Sequence, residues 1–191
     1  MKTVKLNNGI EMPVLGLGTF LSNDPAVCEQ SVVDAISLGY RLIDTAQGYG
    51  NEEHIGRAIA RCGVPREELF ITTKVWFGNY GNTRASVEES MRKLQTDYLD
   101  LVLLHWPFGD TYAAWRALEE LYAEGKIRAI GVSMQDAYFA FWDSLITRSP
   151  TRSRHSSSRK YCLDSAKVWC PGLIPPYSTI PCYTIKKRMS T

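Results

Sequence analysis

Long apolar runs and dense cysteine are both missing from this chain of 191 residues, and each absence excludes a class of protein. No stretch approaches the roughly 20 apolar residues that a membrane-spanning helix needs. The five cysteines are too few, and odd in number, for a disulfide-stapled miniprotein. Polar Asn7 and Asn8 stand where a signal peptide would carry its apolar stretch. We therefore expect a soluble globular protein of the reducing cytoplasm.

The small net charge of +2 is unevenly divided along the chain. Residues 148–191 hold nine Lys or Arg against one acid, Asp164, and they also hold eight serines and five of the nine prolines. Three explanations are open for this basic tail. It is a basic arm for RNA or a membrane surface, a truncated variant with its own fold, or the product of a reading-frame shift near Met134. The abrupt change of composition favours the third.

Five short apolar runs alternate with amphipathic stretches between residues 14 and 133, which predicts parallel strands joined by helices. The predicted strands cover residues 14–17, 40–43, 69–73, 98–104 and 127–132. The predicted helices cover residues 25–38, 51–61, 83–95 and 111–124. An Asn8–Gly9 pair predicts a hairpin ahead of them, closing one end of the sheet. Such alternation is typical of an open doubly wound sheet or of a closed barrel, and periodicity does not separate the two.

A polar or small residue follows each apolar run, at intervals of about one βα unit. These residues are Gly18 with Thr19, Asp44, Lys74, His105 and Ser133. In a parallel array all of the strand ends lie on one face, where the loops after the strands build the active site of a barrel. We therefore expect these side chains to converge.

Four of the side chains near these ends have complementary chemistry: the carboxylate of Asp44, the phenol of Tyr49, the ammonium of Lys74 and the imidazole of His105. A phenol has a pKa of about 10, and a neighbouring ammonium favours its ionised form. Lys74 would supply that charge, and Asp44 would hold the ammonium by an ion pair. His105 would donate a hydrogen bond to a bound carbonyl oxygen. This set suits carbonyl reduction, and because no side chain donates a hydride, a nicotinamide cofactor is implied.

Several motifs of this chain resemble those of the aldo-keto reductase family, in register from about residue 3 to 133. The matching segments are residues 16–19, 39–46, 49–52, 72–76, 97–101, 104–107 and 125–133. Within the family the chain resembles the bacterial branch that includes 2,5-diketo-gluconate reductases. The resemblance implies a TIM-type (β/α)8 barrel that reduces aldehydes and ketones with NADPH. About five of its βα units and an N-terminal β-hairpin are recognisable here.

The resemblance also implies roles for the strand-end residues. Tyr49 would be the proton donor, Lys74 and Asp44 would tune it, and His105 would orient the carbonyl. The residues along the nicotinamide and its ribose would be Gly18, Thr19, Phe20 and Asp44, with Ser133 bonding the carboxamide. The residues around the substrate would be Phe20, Trp76, His105 and Trp106.

Each of these residues also has a structural interpretation when it is taken alone. Asp44 would be a loop or cap residue, Lys74 a solvated lysine and Tyr49 a surface packing residue. Their joint spacing favours the catalytic interpretation. No metal site is expected, because the cysteines of the tail, Cys162, Cys170 and Cys182, lack CxxC spacing and His155 is isolated.

The resemblance ends close to Ser133, although a complete (β/α)8 barrel needs about 250 residues. The family pattern places an asparagine after that serine, and this chain has Met134. We expect residues 1–133 to form the N-terminal part of the barrel. We expect residues 134–191 to be a non-matching, truncated or frameshifted tail rather than a separate functional domain. An open sheet of five units would also expose an unpaired parallel edge.

The loss of the family pattern after Ser133 affects the expected function, because in this family the cofactor phosphates are held by residues of the last strands and loops. Lys186–Arg188 is basic, but it lacks that setting. We expect an NADPH-dependent oxidoreductase that is monomeric and acts on a small carbonyl substrate, without a nucleic-acid or membrane partner. The alternative is a catalytically inactive fragment or a non-enzymatic binding protein on the same scaffold.

Overall fold

Two antiparallel strands precede five parallel strands in the computed structural model, which describes residues 1–133 and the backbone of residues 167–169. The strands are β1 (Thr3–Lys5), β2 (Glu11–Pro13), β3 (Gly16–Gly18), β4 (Leu42–Asp44), β5 (Phe70–Val75), β6 (Leu101–Leu104), β7 (Ile130–Val132) and β8 (Lys167–Trp169). The helices are α1 (Pro25–Ser37), α2 (Glu52–Arg61), α3 (Thr83–Leu94) and α4 (Thr111–Ala123). Short 3-10 helices cover Gln47–Tyr49, Arg66–Glu68 and Phe77–Asn82.

The order of the strands in the main sheet decides between the two architectures that periodicity left open. The order is β3-β4-β5-β6-β7-β8, and β3 to β7 are parallel. A doubly wound sheet reverses its strand order at a switch point, whereas the strands of a (β/α)8 barrel follow the chain. Helix α1 packs on α2, α2 on α3 and α3 on α4, in one layer. The predicted barrel class is therefore confirmed, with five parallel strands.

Side-chain caps and glycines set the ends of the helices. The carboxylate of Asp24 accepts a hydrogen bond from the Val27 N–H at 2.9 Å, and Pro25 fixes the first turn of α1. Asp110 caps α4 in the same way, through the Ala113 N–H at 2.9 Å. Gly39 follows α1 with a φ of 94°, a left-handed conformation that suits glycine. The predicted helices are confirmed, and their bounds differ by a few residues.

Alternation along the strands creates two separate cores. In β4, Ile43 packs toward the helices, while Leu42 packs inside the curve of the sheet. In β6, Val102 and Leu104 face the helices, and Leu101 and Leu103 face inward. The strands are thus buried on both faces, as their apolarity predicts.

The N-terminal hairpin closes the end of the sheet where the parallel strands begin. Leu6 and Met12 pack against Leu42 and Phe70, and the Asn8 amide donates to the Arg128 carbonyl at 2.9 Å. The predicted hairpin is confirmed. It lies opposite the carboxyl ends of the strands and leaves that face free.

A buried carboxylate ties β5, β6 and β7 together at the same end. Asp100 is 0% exposed, and it accepts hydrogen bonds from Arg66 at 2.8 Å and from Arg128 at 2.7 Å. The backbone N–H of Ile71 donates to it at 2.9 Å. A buried charge is tolerated when it is paired and hydrogen-bonded in this way.

The structure corrects two expectations about the sheet. The first parallel strand is β3, two residues later than predicted, and Val14 and Leu15 are exposed. The expected unpaired edge is wrong for β7, because β8 from the tail pairs with it. That pairing is antiparallel, whereas a barrel would continue with a parallel strand.

Several expectations about the tail lie outside the described residues. They concern Met134, the basic run 151–160, the basic residues 186–188, and His155, Cys162, Cys170 and Cys182, for which no metal site was expected. Among the described residues, no helix has both the length and the apolarity to cross a membrane. The same part of the chain contains no group of three or more His, Cys, Asp or Glu side chains that could hold a metal ion.

Candidate active site

The carboxyl ends of the parallel strands bring the predicted residues to one edge of the sheet. Gly18 is paired with Asp44 in the register of β3 and β4. The backbone N–H of His105, after β6, donates to Val75 at 3.1 Å, and that of Ser133, after β7, donates to Leu104 at 2.8 Å. The first residues of these loops are thus hydrogen-bonded to the neighbouring strand, as strand residues are. These bonds fix the backbone position of each residue in the site.

Lys74, at the end of β5, is the centre of the site. Its side chain is buried, and Nζ lies 2.7 Å from Asp44 Oδ1, 2.8 Å from the Thr45 carbonyl and 3.5 Å from the Tyr49 hydroxyl. Three acceptors therefore face the three donors of the ammonium, which offsets the cost of burying its charge. The Tyr49 hydroxyl accepts from the ammonium, so its own proton is free for a bound ligand.

Tyr49 lies on the short 3-10 helix that follows β4, with its ring inside a group of aromatic side chains. Its N–H donates to the Ala46 carbonyl at 3.0 Å, and Gly50 ends the turn with a φ of 69°. The Tyr49 ring centroid lies 5.0 Å from that of Phe20 and 5.7 Å from that of His105. Tyr49 is consequently held between Lys74 and the imidazole.

The His105 imidazole is buried beside this pair, and its Nδ1 has no hydrogen-bond partner. Burial, with a smaller contribution from the charge of Lys74, lowers the pKa of His105 from 6.5 to about 4. The ring is therefore neutral at pH 7. A buried N–H without an acceptor is rarer than a bare acceptor, which favours a proton on the other nitrogen, Nε2. A neutral imidazole of this kind can donate a hydrogen bond to a ligand, but it does not give up its proton as an acid would.

An aromatic wall packs against the imidazole. The Trp76 ring meets His105 edge-on at 5.7 Å, and the Trp106 ring lies 6.1 Å from it. Two residues that sequence reasoning missed extend this wall. Phe108 stacks on Trp106 at 5.9 Å, and Phe77 contacts Trp76 at 4.6 Å. Their positions beside the two tryptophans in the sequence were the available signal.

Comparison with known proteins identifies the family. The sequence profile of the Aldo/keto reductase family matches residues 14–139. The chain is 57% identical to "Glyoxal reductase" of Bacillus subtilis over 134 residues, covering 69% of this chain and 49% of that protein. It is 46% identical to "Methylglyoxal reductase DkgA" of Escherichia coli over 132 residues, covering 68% of this chain and 48% of that protein. The chain belongs to the aldo/keto reductase family. It spans about half the length of these relatives.

Solved structures of aldo/keto reductases share the fold of this family member. A Brucella melitensis aldo/keto reductase has a TM-score of 0.66 at 42% identity, covering 78% of this chain and 59% of its own. A Bombyx mori aldo-keto reductase, solved in complex with NADP, has a TM-score of 0.65 at 32% identity, covering 79% of this chain and 55% of its own.

Two buried polar side chains connect the loops of this candidate site in the aldo/keto reductase chain. The Asn51 amide donates to the Thr19 carbonyl at 2.8 Å and accepts from the Thr45 hydroxyl at 2.9 Å. Glu52 accepts from the Thr73 hydroxyl at 2.7 Å, and burial raises the pKa of this carboxyl. Asn51 and Glu52 belong to the matching segment 49–52, but the sequence alone indicated no role for them. Their contacts connect the first two loops to β5.

Proposed function

We propose that this chain carries the site of an NADPH-dependent reductase that converts aldehydes and ketones to alcohols, with Tyr49 as the proton donor. The observation that carries the proposal is the buried Lys74 ammonium, paired with Asp44 at 2.7 Å and in contact with the Tyr49 hydroxyl. The names of the relatives, glyoxal reductase and methylglyoxal reductase, support small carbonyl compounds as the substrate class.

The described residues fit the nicotinamide end of the cofactor. A Cβ added at Gly18 would meet nothing within 4 Å, so the space next to this strand end is open. Asp44 keeps 40% of its side chain exposed despite its ion pair. Ser133 is half-buried at the carboxyl end of β7, on the same face of the sheet. Gly18, Thr19, Phe20, Asp44 and Ser133 would line this end. When bound, NADPH would supply the hydride that reduces the carbonyl carbon.

The carbonyl oxygen would lie between Tyr49 and His105. The neutral imidazole donates a hydrogen bond that polarises the carbonyl, and negative charge then develops on the oxygen as the carbon is reduced. The Tyr49 O–H bond breaks, and its proton completes the alcohol. Lys74 stays charged throughout and stabilises the phenolate that remains, while Asp44 keeps the ammonium in place. Trp76 and Trp106, both half-buried, would line the pocket around the reacting oxygen, together with Phe20, which is 65% exposed.

One observation favours a second candidate function, a catalytically silent protein on the same scaffold. The antiparallel strand β8 occupies the position beside β7 where a barrel would continue with a parallel strand. The cofactor phosphates would then lack the setting that the family resemblance implies for them. Such a chain would keep the arrangement of Tyr49, Lys74 and His105 without turnover.

Two measurements on the full chain separate these functions. Tryptophan fluorescence is titrated with NADPH, and the oxidation of NADPH is then followed with methylglyoxal as substrate. Saturable micromolar quenching together with turnover supports the reductase. Quenching without turnover supports the silent binding protein. A folded chain that neither binds NADPH nor turns over methylglyoxal contradicts both and leaves an inactive fragment.

A further inference from the structure

Gln47 connects the turn that carries Tyr49 to the end of β5 and to α3. Its carbonyl oxygen accepts from the backbone N–H of Trp76 at 2.9 Å and from the Asn79 amide at 2.9 Å. Its amide nitrogen donates to the Ser86 carbonyl at 3.0 Å and to the Ser90 hydroxyl at 3.1 Å. All four hydrogen-bonding positions of one half-buried side chain are thus used, which is more than a surface glutamine needs.

Gly48, the next residue, provides the room for the Trp76 ring. A Cβ at this position would lie 2.7 Å from Trp76 Cε3 and 3.0 Å from Cζ3. The backbone of Gly48 is not left-handed, so the neighbouring ring and not the turn itself accounts for the glycine. Gln47 therefore fixes the Trp76 backbone, while Gly48 leaves the space that its indole fills.

Gln47 and Gly48 are connected to the reacting groups in two ways. Tyr49 is the next residue of the same turn, and Trp76 meets His105 edge-on at 5.7 Å. Lys74 contacts the turn through the Tyr49 hydroxyl at 3.5 Å, but its two shorter bonds are to Asp44 and the Thr45 carbonyl at the end of β4. Disturbing the turn should move the pocket wall and leave the ion pair in place.

We propose that Gln47 and Gly48 are positioning residues that set the Trp76 ring and thereby determine which aldehydes the pocket accepts. The substrate part of this inference rests on the proposed reductase function. The placement of the ring does not. An indole held against Gly48 offers a rigid apolar surface to the part of an aldehyde that lies away from its carbonyl. Aromatic aldehydes would use that surface, whereas methylglyoxal is too small to depend on it.

The first test reads the Trp76 ring directly, without cofactor or turnover. The full chain is labelled with 5-fluorotryptophan, and the Trp76 signal among the five tryptophans is assigned with Trp76→Phe. Gln47→Met keeps the length of the side chain and removes its hydrogen bonds, and Gly48→Ala pushes on the ring. Both variants should shift or broaden the Trp76 fluorine signal and leave that of Trp115 on α4 unchanged.

Gly81→Ala is the matched control, because a Cβ there would meet nothing within 4 Å and the backbone is not left-handed. Its Trp76 signal should equal that of the unmodified chain. If Gln47→Met fails to fold by circular dichroism, Gly48→Ala decides alone. A Trp76 signal that stays unchanged in every folded variant of Gln47 and Gly48 overturns the inference.

The second test measures specificity. Gly48→Ala should lower kcat/KM for benzaldehyde about tenfold more than for methylglyoxal, mainly through KM, since apolar pocket contacts discriminate by roughly 10- to 200-fold. Equal losses for both aldehydes overturn the specificity role. If the unmodified chain shows no turnover, the proposed function fails, and the fluorine signals still decide whether these residues position Trp76.

Discussion

At the scale of single residues, the buried ammonium of Lys74 explains why polar groups collect in this small site. An ammonium buried at the end of a central strand requires acceptors, and Asp44, Thr45 and Tyr49 provide them at 2.7, 2.8 and 3.5 Å. The acceptors therefore stabilise the charge and are oriented by it at the same time. His105, without such a partner for Nδ1, stays neutral in the same surroundings.

Removing the Tyr49 hydroxyl tests the proton donor. Tyr49→Phe should lower turnover of methylglyoxal by about 10²- to 10⁴-fold, the usual contribution of a general acid, because His105 only donates a hydrogen bond and Tyr49 alone transfers a proton to the carbonyl oxygen in this mechanism. NADPH binding by fluorescence quenching should change little. The control is Tyr112→Phe, which alters an exposed tyrosine on α4 and should leave turnover unchanged. Retained turnover in Tyr49→Phe would exclude this tyrosine as the donor.

Removing the Lys74 charge tests the electrostatics of the imidazole. Lys74→Met should raise the pKa of His105 above about 4 because one of its two causes is removed, while burial, the larger cause, holds it below 6.5. An NMR titration of the imidazole measures this pKa. Lys126→Met, which removes a surface ammonium bound to Glu88, is the control and should leave the pKa unchanged. An unchanged pKa in Lys74→Met contradicts the assigned cause.

The lowered pKa of His105 also predicts how stability depends on pH. The unfolded chain takes up this proton near pH 6.5, whereas the folded chain resists it until about pH 4. The unfolded state therefore binds more protons between these values, and stability falls as the pH drops from 6.5 toward 4. Urea unfolding at several pH values measures the slope. It should be shallower in His105→Gln, and an equal slope in both proteins would contradict the linkage.

At the scale of elements, the helices and the parallel strands were predictable, and the connections that shape the pocket were not. Asp24 before Pro25 and Gly39 after α1 are local signals, and local signals determine helix ends. The role of Gln47 depends on α3 and on the end of β5, about 30 to 40 residues away in sequence. The periodicity of the sequence does not reveal hydrogen bonds between residues so far apart in the chain. The start of β3 was misjudged because the apolar Val14 and Leu15 precede the paired residues.

The strand beginnings depend on Asp100, which bonds Arg66, Arg128 and the Ile71 N–H. Asp100→Ala would leave the Ile71 N–H and two partly exposed guanidinium groups without their partner, and we expect a loss of about 1 to 3 kcal/mol in the free energy of unfolding. Urea denaturation measures it. Glu89→Ala, which removes the exposed partner of Arg92, is the control and should change stability little. A small loss in Asp100→Ala would exclude Asp100 as an anchor of the sheet.

At the scale of the whole molecule, the chain combines a recognisable half of an aldo/keto reductase with a strand that the family pattern does not contain. The site could be predicted from residues 1–133 because strand ends recur at about one βα unit. The partner of the last parallel strand could not, because the three residues of β8 lie in a segment without βα alternation.

Breaking β8 tests its pairing with β7. Gly131 of β7 is paired with Val168 of β8, and proline within a strand removes an N–H donor and clashes with the ladder. Val168→Pro should accelerate hydrogen exchange at the amides of β7 that point toward β8. The amides of β5, which has β4 and β6 on its two sides, serve as the internal control and should keep their protection. Unchanged exchange in β7 would contradict the pairing.

The position of each strand in the sheet divides the proposed chemistry into two parts of different durability. Asp44 and Lys74 lie at the carboxyl ends of β4 and β5, and His105 follows β6. These three strands have parallel strands on both sides. Gly18 ends β3, the outermost strand of the described sheet, and Thr19 follows it. Ser133 follows β7, next to the short β8. Fraying begins at sheet margins. On partial denaturation, Gly18, Thr19 and Ser133 would therefore lose their positions along the nicotinamide first, while Asp44, Lys74 and His105 kept theirs.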